Sequence, residues 1–272
     1  MKGRARQRAA SGAASGREAT QKLHKILAQT GLGSRRAMEE WIRAGRVTVN
    51  GVAADIGTRV TSRDVIRVGR RLVRWPAPQR LPRIVLYHKP EGEIVSRDDP
   101  QERATVFERM PKIRGGKWLA VGRLDYNTGG LLVFTTSGEL ANRMMHPRFA
   151  VEREYAVRIL GQLSLEQIER LKTGVELDDG PARCLSLEDG GGEGRNHWYR
   201  IVLAEGRNRV VRRMFEALGM TVSRLMRVRF GSLRLPPRLK RGQWCEMAPG
   251  EISEFLRGLN PQPGNSRDHP DR

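Results

Sequence analysis

Four apolar residues in a row, Leu131-Leu132-Val133-Phe134, constrain this chain more than any other feature, with Gly129-Gly130 before them and two threonines after. A strand that alternates can leave one face in water, but an unbroken apolar strand needs cover on both faces. The chain must therefore build a sheet with packed layers on either side. The surrounding stretch "AVGRLDYNTGGLLVFTTSGELANRMMHP" predicts a strand at Leu119-Ala120-Val121, a polar loop, the buried strand, and a helix over Gly138–Met145 that Ser137 caps and Pro147 ends. Arg123, Asp125, Asn127 and Thr128 then stand on a loop between two rigid strands, a common place for reactive side chains. Gly129 and Gly130 leave room for a ligand or for another backbone. On the loop alone, Asp125 can be a nucleophile, a general base, a metal ligand or a turn cap. A metal would want more carboxylates or histidines, and only His88 and His146 stand by, distant in sequence.

Strands and helices mix without a regular repeat through residues 83–258, the main domain. Ile84–Tyr87, stopped by Lys89-Pro90, Glu154–Leu160 with Tyr155, Val157 and Ile159 on one face, and Trp198–Leu203 read as strands. Leu163–Leu171 and Val210–Leu218 read as helices, the second ended by Gly219. This predicts an α+β fold, a mixed and largely antiparallel sheet with flanking helices. The acids of "DDGPARC" at 178–184 mimic a second site, but Gly180-Pro181 marks a hairpin turn.

Upstream, residues 21–69 form a small module. Leu23, Ile26 and Leu27 share a helical face that Gly31 can end, and Ser34 can cap a second helix with Met38, Trp41 and Ile42 inward. Val47-Thr48-Val49 meets Asn50-Gly51, a strong hairpin signal, and Val65, Ile66 and Val68 suggest a further strand. Pro76, Pro78 and Pro82, with Arg70, Arg71, Arg74 and Arg80, predict a stiffened linker over 70–82. Residues 1–20, basic with Glu18 the one acid, and 259–272, with three prolines, are expected to be disordered.

Lys and Arg total 50 against 30 acids, a formal charge of +20, which favours a polyanionic partner. Nucleic acid fits better than a membrane, because there is neither an apolar run of about 18 residues nor an apolar amphipathic helix. The basic N-terminus is followed by no apolar segment and so does not read as a secretory signal. The two cysteines, Cys184 and Cys245, lie far apart and suit a reducing cytoplasm. Residues 205–241 hold eleven basic residues, and Val222, Leu225, Val228 and Phe230 interleave with Arg224, Arg227 and Arg229. A strand or sheet edge lined with arginine is expected there, tracking an RNA backbone.

The run Gly122–Leu132 resembles, without a gap, the catalytic motif of the pseudouridine synthases, Gly-Arg-Leu-Asp-x-x-Thr-x-Gly-Leu-Leu. "EREYAV" and "AEGRNRVVRRMFEALG" resemble that family's two further motifs, and "GLGSRRAMEEWIRAGRVTVNG" resembles an S-four-like RNA-binding module. Together they resemble the branch that modifies ribosomal RNA, over residues 20–250. The resemblance implies that Asp125 is the catalytic carboxylate, Tyr155 stacks on a flipped base, Arg212 pairs with Asp125, and Arg123 fills the gap the base leaves. It implies no cofactor and no metal. The substrate would be a uridine of large-subunit ribosomal RNA near the peptidyl transferase region, or of the assembling particle, with no membrane and no small-molecule substrate. Arg35, Arg36, Arg43, Arg46, Arg207, Arg209 and Arg213 are expected on RNA, and the protein is expected to be a monomer. Val210 departs from the Gln or Glu usual there, which bears on one RNA contact and not on the carboxylate. Two alternatives stand beside this reading: a ribosome-assembly factor that binds RNA without chemistry, and the same chemistry on small-subunit or transfer RNA.

Overall fold

The computed structural model describes residues 20–76, 81–113 and 116–259. The expected basic arm and tail lie outside these residues, apart from Thr20 and Leu259, and so do residues 77–80 of the expected linker. The chain divides into two compact units, one up to residue 76 and one from 81 onward.

In the first unit, β1 (Gln21–Lys22) leads into α1 (Leu23–Gln29) and α2 (Arg35–Arg43). Ser34 caps α2 by accepting the Ala37 N–H at 3.0 Å. The strands β2 (Val47–Val49), β3 (Val52–Ala53), β4 (Arg59–Val60), β5 (Ile66–Val68) and β6 (Arg71–Val73) follow. Four of them form a sheet in the order β3-β2-β5-β6, while β4 pairs with β1. Asn50 and Gly51 turn the β2–β3 hairpin at positive φ, 52° and 87°. The Asn50 amide also donates to Asp64 at 2.8 Å and its carbonyl accepts the Val65 N–H at 2.9 Å, fastening the hairpin to the loop before β5. Leu23, Ile26, Leu27, Met38, Ile42 and Val47 close the core, which Ile66 and Val73 complete. The sheet therefore runs three residues into the segment read as linker, because Val73 still has a core to enter while the prolines begin only at Pro76.

The second unit is built on one sheet. Its strands are β7 (Ile84–Lys89), β8 (Leu119–Val121), β9 (Gly129–Thr135), β10 (Arg153–Leu160), β11 (Ser186–Glu193), β12 (Asn196–Leu203), β13 (Val222–Phe230), β14 (Leu233–Arg234) and β15 (Trp244–Glu246). Its helices are α3 (Gly138–Met145), α4 (Leu165–Thr173), α5 (Val210–Glu216) and α6 (Pro249–Leu259). The order is β11-β12-β10-β13-β9-β7-β15, with β14 on β13 and β8 on β9. Described pairings are antiparallel except β13 with β9. Every residue of β9 is buried, as its unbroken apolarity requires. Leu132 and Phe134 enter the core beneath α4 and α5, and Leu131 and Val133 enter the one beneath α3 and α6.

The arginine-lined edge expected over 222–230 is instead the central strand, with β10 on one side and β9 on the other. The strand's apolar residues belong to two cores, which draws it inward and takes its arginines with it. Arg227 is only 2% exposed, and Arg229 is tied to Glu154 and Glu152.

The two halves of the sheet meet where β9 and β13 run parallel, Gly129 beside Met226 and Gly130 beside Arg227. A Cβ on Gly130 would lie 2.2 Å from the Arg227 carbonyl oxygen, at a φ of +100°. Gly180 has nearly the same φ, +101°, but open space around it. Gly180→Ala is expected to destabilise by about 1–2 kcal/mol, the backbone strain alone. Gly130→Ala should lose at least about 2 kcal/mol more or fail to fold. Urea unfolding of the two variants checks this; equal losses would mean the sheet junction tolerates a side chain.

Candidate active site

The loop from Gly122 to Thr128 joins β8 to β9 and borders a cleft of about 490 Å³. Asp125, Arg123, Tyr155, Arg207, Arg209 and Arg227 line it, and the sheet and the start of α5 supply its apolar wall. The structure thus gathers most of the catalytic-unit residues singled out in the sequence. Arg212 and Arg213 do not line the cleft, and Arg35, Arg36, Arg43 and Arg46 belong to the first unit, where all four are exposed. The Arg46 guanidinium lies over the Trp41 ring, 4.6 Å from its centroid.

Two buried cations hold the loop from beneath. The Lys89 ammonium, at the end of β7, donates to the carbonyls of Asp125 at 3.1 Å, Tyr126 at 3.5 Å and Thr128 at 2.9 Å, and to its neighbour Pro90 at 2.9 Å. Arg212 on α5 takes the remaining carbonyl, Asn127, at 2.8 Å, and the Val222 carbonyl at 2.9 Å. Four consecutive carbonyls thus accept from cations. The turn closes with the Thr128 N–H donating to the Asp125 carbonyl at 3.0 Å, and the Gly92 N–H adds a bond to Tyr126 at 2.9 Å. Asp125 is left half-buried at the cleft wall.

This corrects the expectation for Arg212. A paired hydrogen bond from Arg212 to the Asp125 carboxylate is not formed: its two terminal nitrogens go to backbone carbonyls, and its buried Nε has no partner among the described residues. The side chain leaves the buried face of α5 beneath the loop, so it meets the loop's backbone before its side chains. The two charges still act on each other through space. Burial and nearby Arg209 pull the Arg212 pKa down, and the charge of Asp125 opposes them.

Two further arginines are engaged inside the fold. Arg213 grips Asp179 with both terminal nitrogens at 2.8 and 2.9 Å. Arg207 bonds Glu205, Asp179 and the carbonyls of Gly180 and Pro181. Asp179 of the 178–184 turn therefore anchors α5 and the loop before it. Arg209 is exposed on the cleft wall, in the left-handed region at φ 48°, immediately before α5. Non-glycine residues held there are strained and collect at functional sites. Tyr155 is 8% exposed, between Ile201 on β12 and Arg227 on β13.

The sequence reading passed over Lys89, taking it only as the end of a strand. Its signal was a lysine continuing the apolar run of β7 immediately before Pro90, where a strand that enters two cores leaves no room for a solvated head group. Burial lowers its pKa to about 8, against the opposing charges of Glu93, Asp125 and Glu91.

Lys89→Met should remove the donors to three loop carbonyls and lower the activity of a site built on this loop by about tenfold or more. The pH dependence has a definite sign. Between about 8 and the ordinary lysine value of 10.5 the unfolded chain keeps a proton that the folded chain has released. Stability contributed at residue 89 therefore rises with pH across that window and is lowest below pH 8. Urea unfolding of wild type and Lys89→Met from pH 7 to 10 should show the wild type gaining on the variant. A constant difference would mean that Lys89 does not titrate there.

Comparison with known proteins finds relatives of both units. Residues 83–217 match the RNA pseudouridylate synthase family and residues 21–66 match the S4 domain. The chain is 53% identical over 234 residues to a Pseudomonas aeruginosa protein named ribosomal large subunit pseudouridine synthase B, covering 85% of this chain and 61% of that protein. It is 51% identical over 243 residues to proteins of the same name from Salmonella typhimurium and Escherichia coli, covering 88% of this chain and 83% of theirs. A crystal structure of a pseudouridylate synthase shares the fold, with a TM-score of 0.60 at 24% identity, over 86% of this chain and 99% of that one. An S4 domain followed by a catalytic unit of this fold, with such identity along most of its length, places the chain in the RNA pseudouridine synthase family.

Proposed function

We propose that the protein isomerises a uridine of large-subunit ribosomal RNA to pseudouridine, and that Asp125 starts the reaction. The observation that carries this is the meeting in one cleft of Tyr155, on β10, with Arg123 and Asp125, on a loop whose carbonyls are tied to buried cations. The reaction detaches uracil from its ribose, turns it, and rejoins it through carbon five. Nothing is oxidised or hydrolysed. The ionised Asp125 carboxylate either attacks the anomeric carbon or removes a sugar proton to give a glycal, and both routes start from the same bound uridine.

The target base leaves its stack to enter the cleft, which costs a few kcal/mol. Stacking on the Tyr155 ring returns about 1–3 kcal/mol of this. Arg123, exposed at the mouth of the cleft, fills the space the base leaves in the RNA. Tyr155, having passed its own hydroxyl proton to N1 through water, takes the carbon-five proton in the last step. Arg209 and the exposed Arg35, Arg36, Arg43 and Arg46 contact phosphates. Arg207 and Arg213, already bound to acids, contribute to the positive field around the cleft mouth. Arg212 secures the catalytic loop and shares its field with Asp125. The protein works as a monomer in the cytoplasm, on the RNA or the assembling particle, and needs no cofactor or metal.

Large-subunit RNA incubated with the purified protein and no added cofactor should gain one or more carbodiimide-reactive pseudouridines. An unchanged pattern with retained binding would mark a binding factor without chemistry, and reactivity in small-subunit or transfer RNA would move the substrate. Asp125→Asn should lower turnover by at least about 1000-fold while the RNA Kd stays within about threefold. Full activity in that variant would remove Asp125 from the chemistry.

A further inference from the structure

Arg227 lines the cleft without a task in the reaction as proposed, and its surroundings are unusual. It is 2% exposed and has no salt bridge to an acid among the described residues. Nε donates to the Leu131 carbonyl at 2.9 Å, and the guanidinium lies 4.7 Å from the Phe230 ring centroid. Nη2 is buried with no hydrogen-bond partner among the described residues. Arg153 lies over the same ring, at 5.0 Å, and its charge disfavours a second one nearby. A buried cation beside a like charge, with one donor unused, is costly and calls for a reason.

The group it faces is Tyr155. The two residues are direct partners across the β10–β13 ladder, and the tyrosine oxygen is close enough to favour the guanidinium charge against burial. Both line the cleft. We propose that Arg227 is a positioning residue for Tyr155, its unused Nη2–H group donating to the phenolic oxygen once the flipped base is bound. This rests on the reading of Tyr155 as the group that removes the carbon-five proton.

The step balances as a relay. After carbon five has joined the ribose, the base still carries hydrogen on carbon five and a double bond between carbon six and N1. The Tyr155 hydroxyl passes its proton, through water, to N1. The phenolate so formed takes the proton from carbon five. The carbon–hydrogen electron pair becomes the second bond between carbons five and six, and the π pair of the carbon six–N1 double bond becomes a lone pair on nitrogen, the single bond between them staying intact. Tyrosine ends as it began. The charge that appears is on the phenolic oxygen, and a fixed guanidinium at that oxygen stabilises it without reorganising.

The test uses the full chain and a ribosomal RNA fragment carrying deuterium at carbon five of the target uridine, under single-turnover conditions. Tyr155→Phe should slow conversion by about 100-fold or more. If it converts RNA at the wild-type rate, the reading of Tyr155 itself fails. If Tyr155→Phe is slow, Arg227 is judged separately. Arg227→Gln should slow conversion with a large new deuterium effect and an RNA Kd within about threefold, and Arg227→Lys should restore much of the rate. A slow Arg227→Gln with no deuterium effect would reduce Arg227 to packing. Should that variant not fold, Arg227→Met, alone and combined with Tyr155→Phe, decides. A rate equal to that of Tyr155→Phe alone supports action through the tyrosine, and multiplied losses overturn it.

Discussion

The catalytic unit depends on the narrow parallel contact between β9 and β13. Two residue pairs, Gly129 with Met226 and Gly130 with Arg227, join the strands that carry the reactive loop to the strands that carry Tyr155. One edge of β9 is filled by β7 along most of its length, and the other is shared between β13 at its start and β8 at its end. The loop that leaves β8 and enters β9 must therefore pass over the junction, and so it faces the cleft. A side chain at Gly130 would strike the backbone of β13, so the same position that joins the sheet also fixes the distance between loop and tyrosine.

The Lys89 and Arg212 arrangement follows from this position. A loop lying on a sheet junction has carbonyls pointing into protein, and buried carbonyls need donors. Backbone amides reach two of the four, those of Asp125 and Tyr126, and only side chains reach Asn127 and Thr128 among the described residues. Long cationic side chains with several N–H groups meet the need, at the cost of desolvating two charges. The lowered pKa of Lys89 records that cost. What is gained is a loop whose backbone is bound from below, leaving the Asp125 side chain at the cleft wall. Orientation of a reactive side chain in this way is a large part of what a protein can supply to a reaction.

Legibility in the sequence followed how locally each feature is determined. The strand at Leu131–Phe134, the helix capped by Ser137 and the Asn50-Gly51 hairpin depend on neighbouring residues, and the structure has all three. β11 was invisible because "SLEDGGGE" lacks apolar alternation; it forms because β12 offers it an edge, and Gly192 lets the backbones approach. Partners of long side chains were the least legible. The sequence places Arg212 in the right helix, but whether it meets a carboxylate or a carbonyl depends on the depth at which α5 packs. Lys89 and Arg227 were hidden for the same reason, since burial of a charged residue is decided by elements distant in sequence.

The charge of the chain has to be read through the same filter. Of the basic residues crowded into 205–241, Arg207, Arg209, Arg213, Arg224, Arg229 and Arg234 each have an acid within 4.0 Å, and Arg212 and Arg227 are buried against carbonyls. Much of the positive charge that suggests nucleic acid is thus spent on holding α5, β13 and the reactive loop in place. An arginine bonded to an acid contributes to the long-range field, but it releases few counterions on binding because its charge is already balanced. The +20 total is therefore a measure of attraction more than of contact. Arg123 at the cleft and Arg35, Arg36, Arg43 and Arg46 on the first unit are among those left exposed.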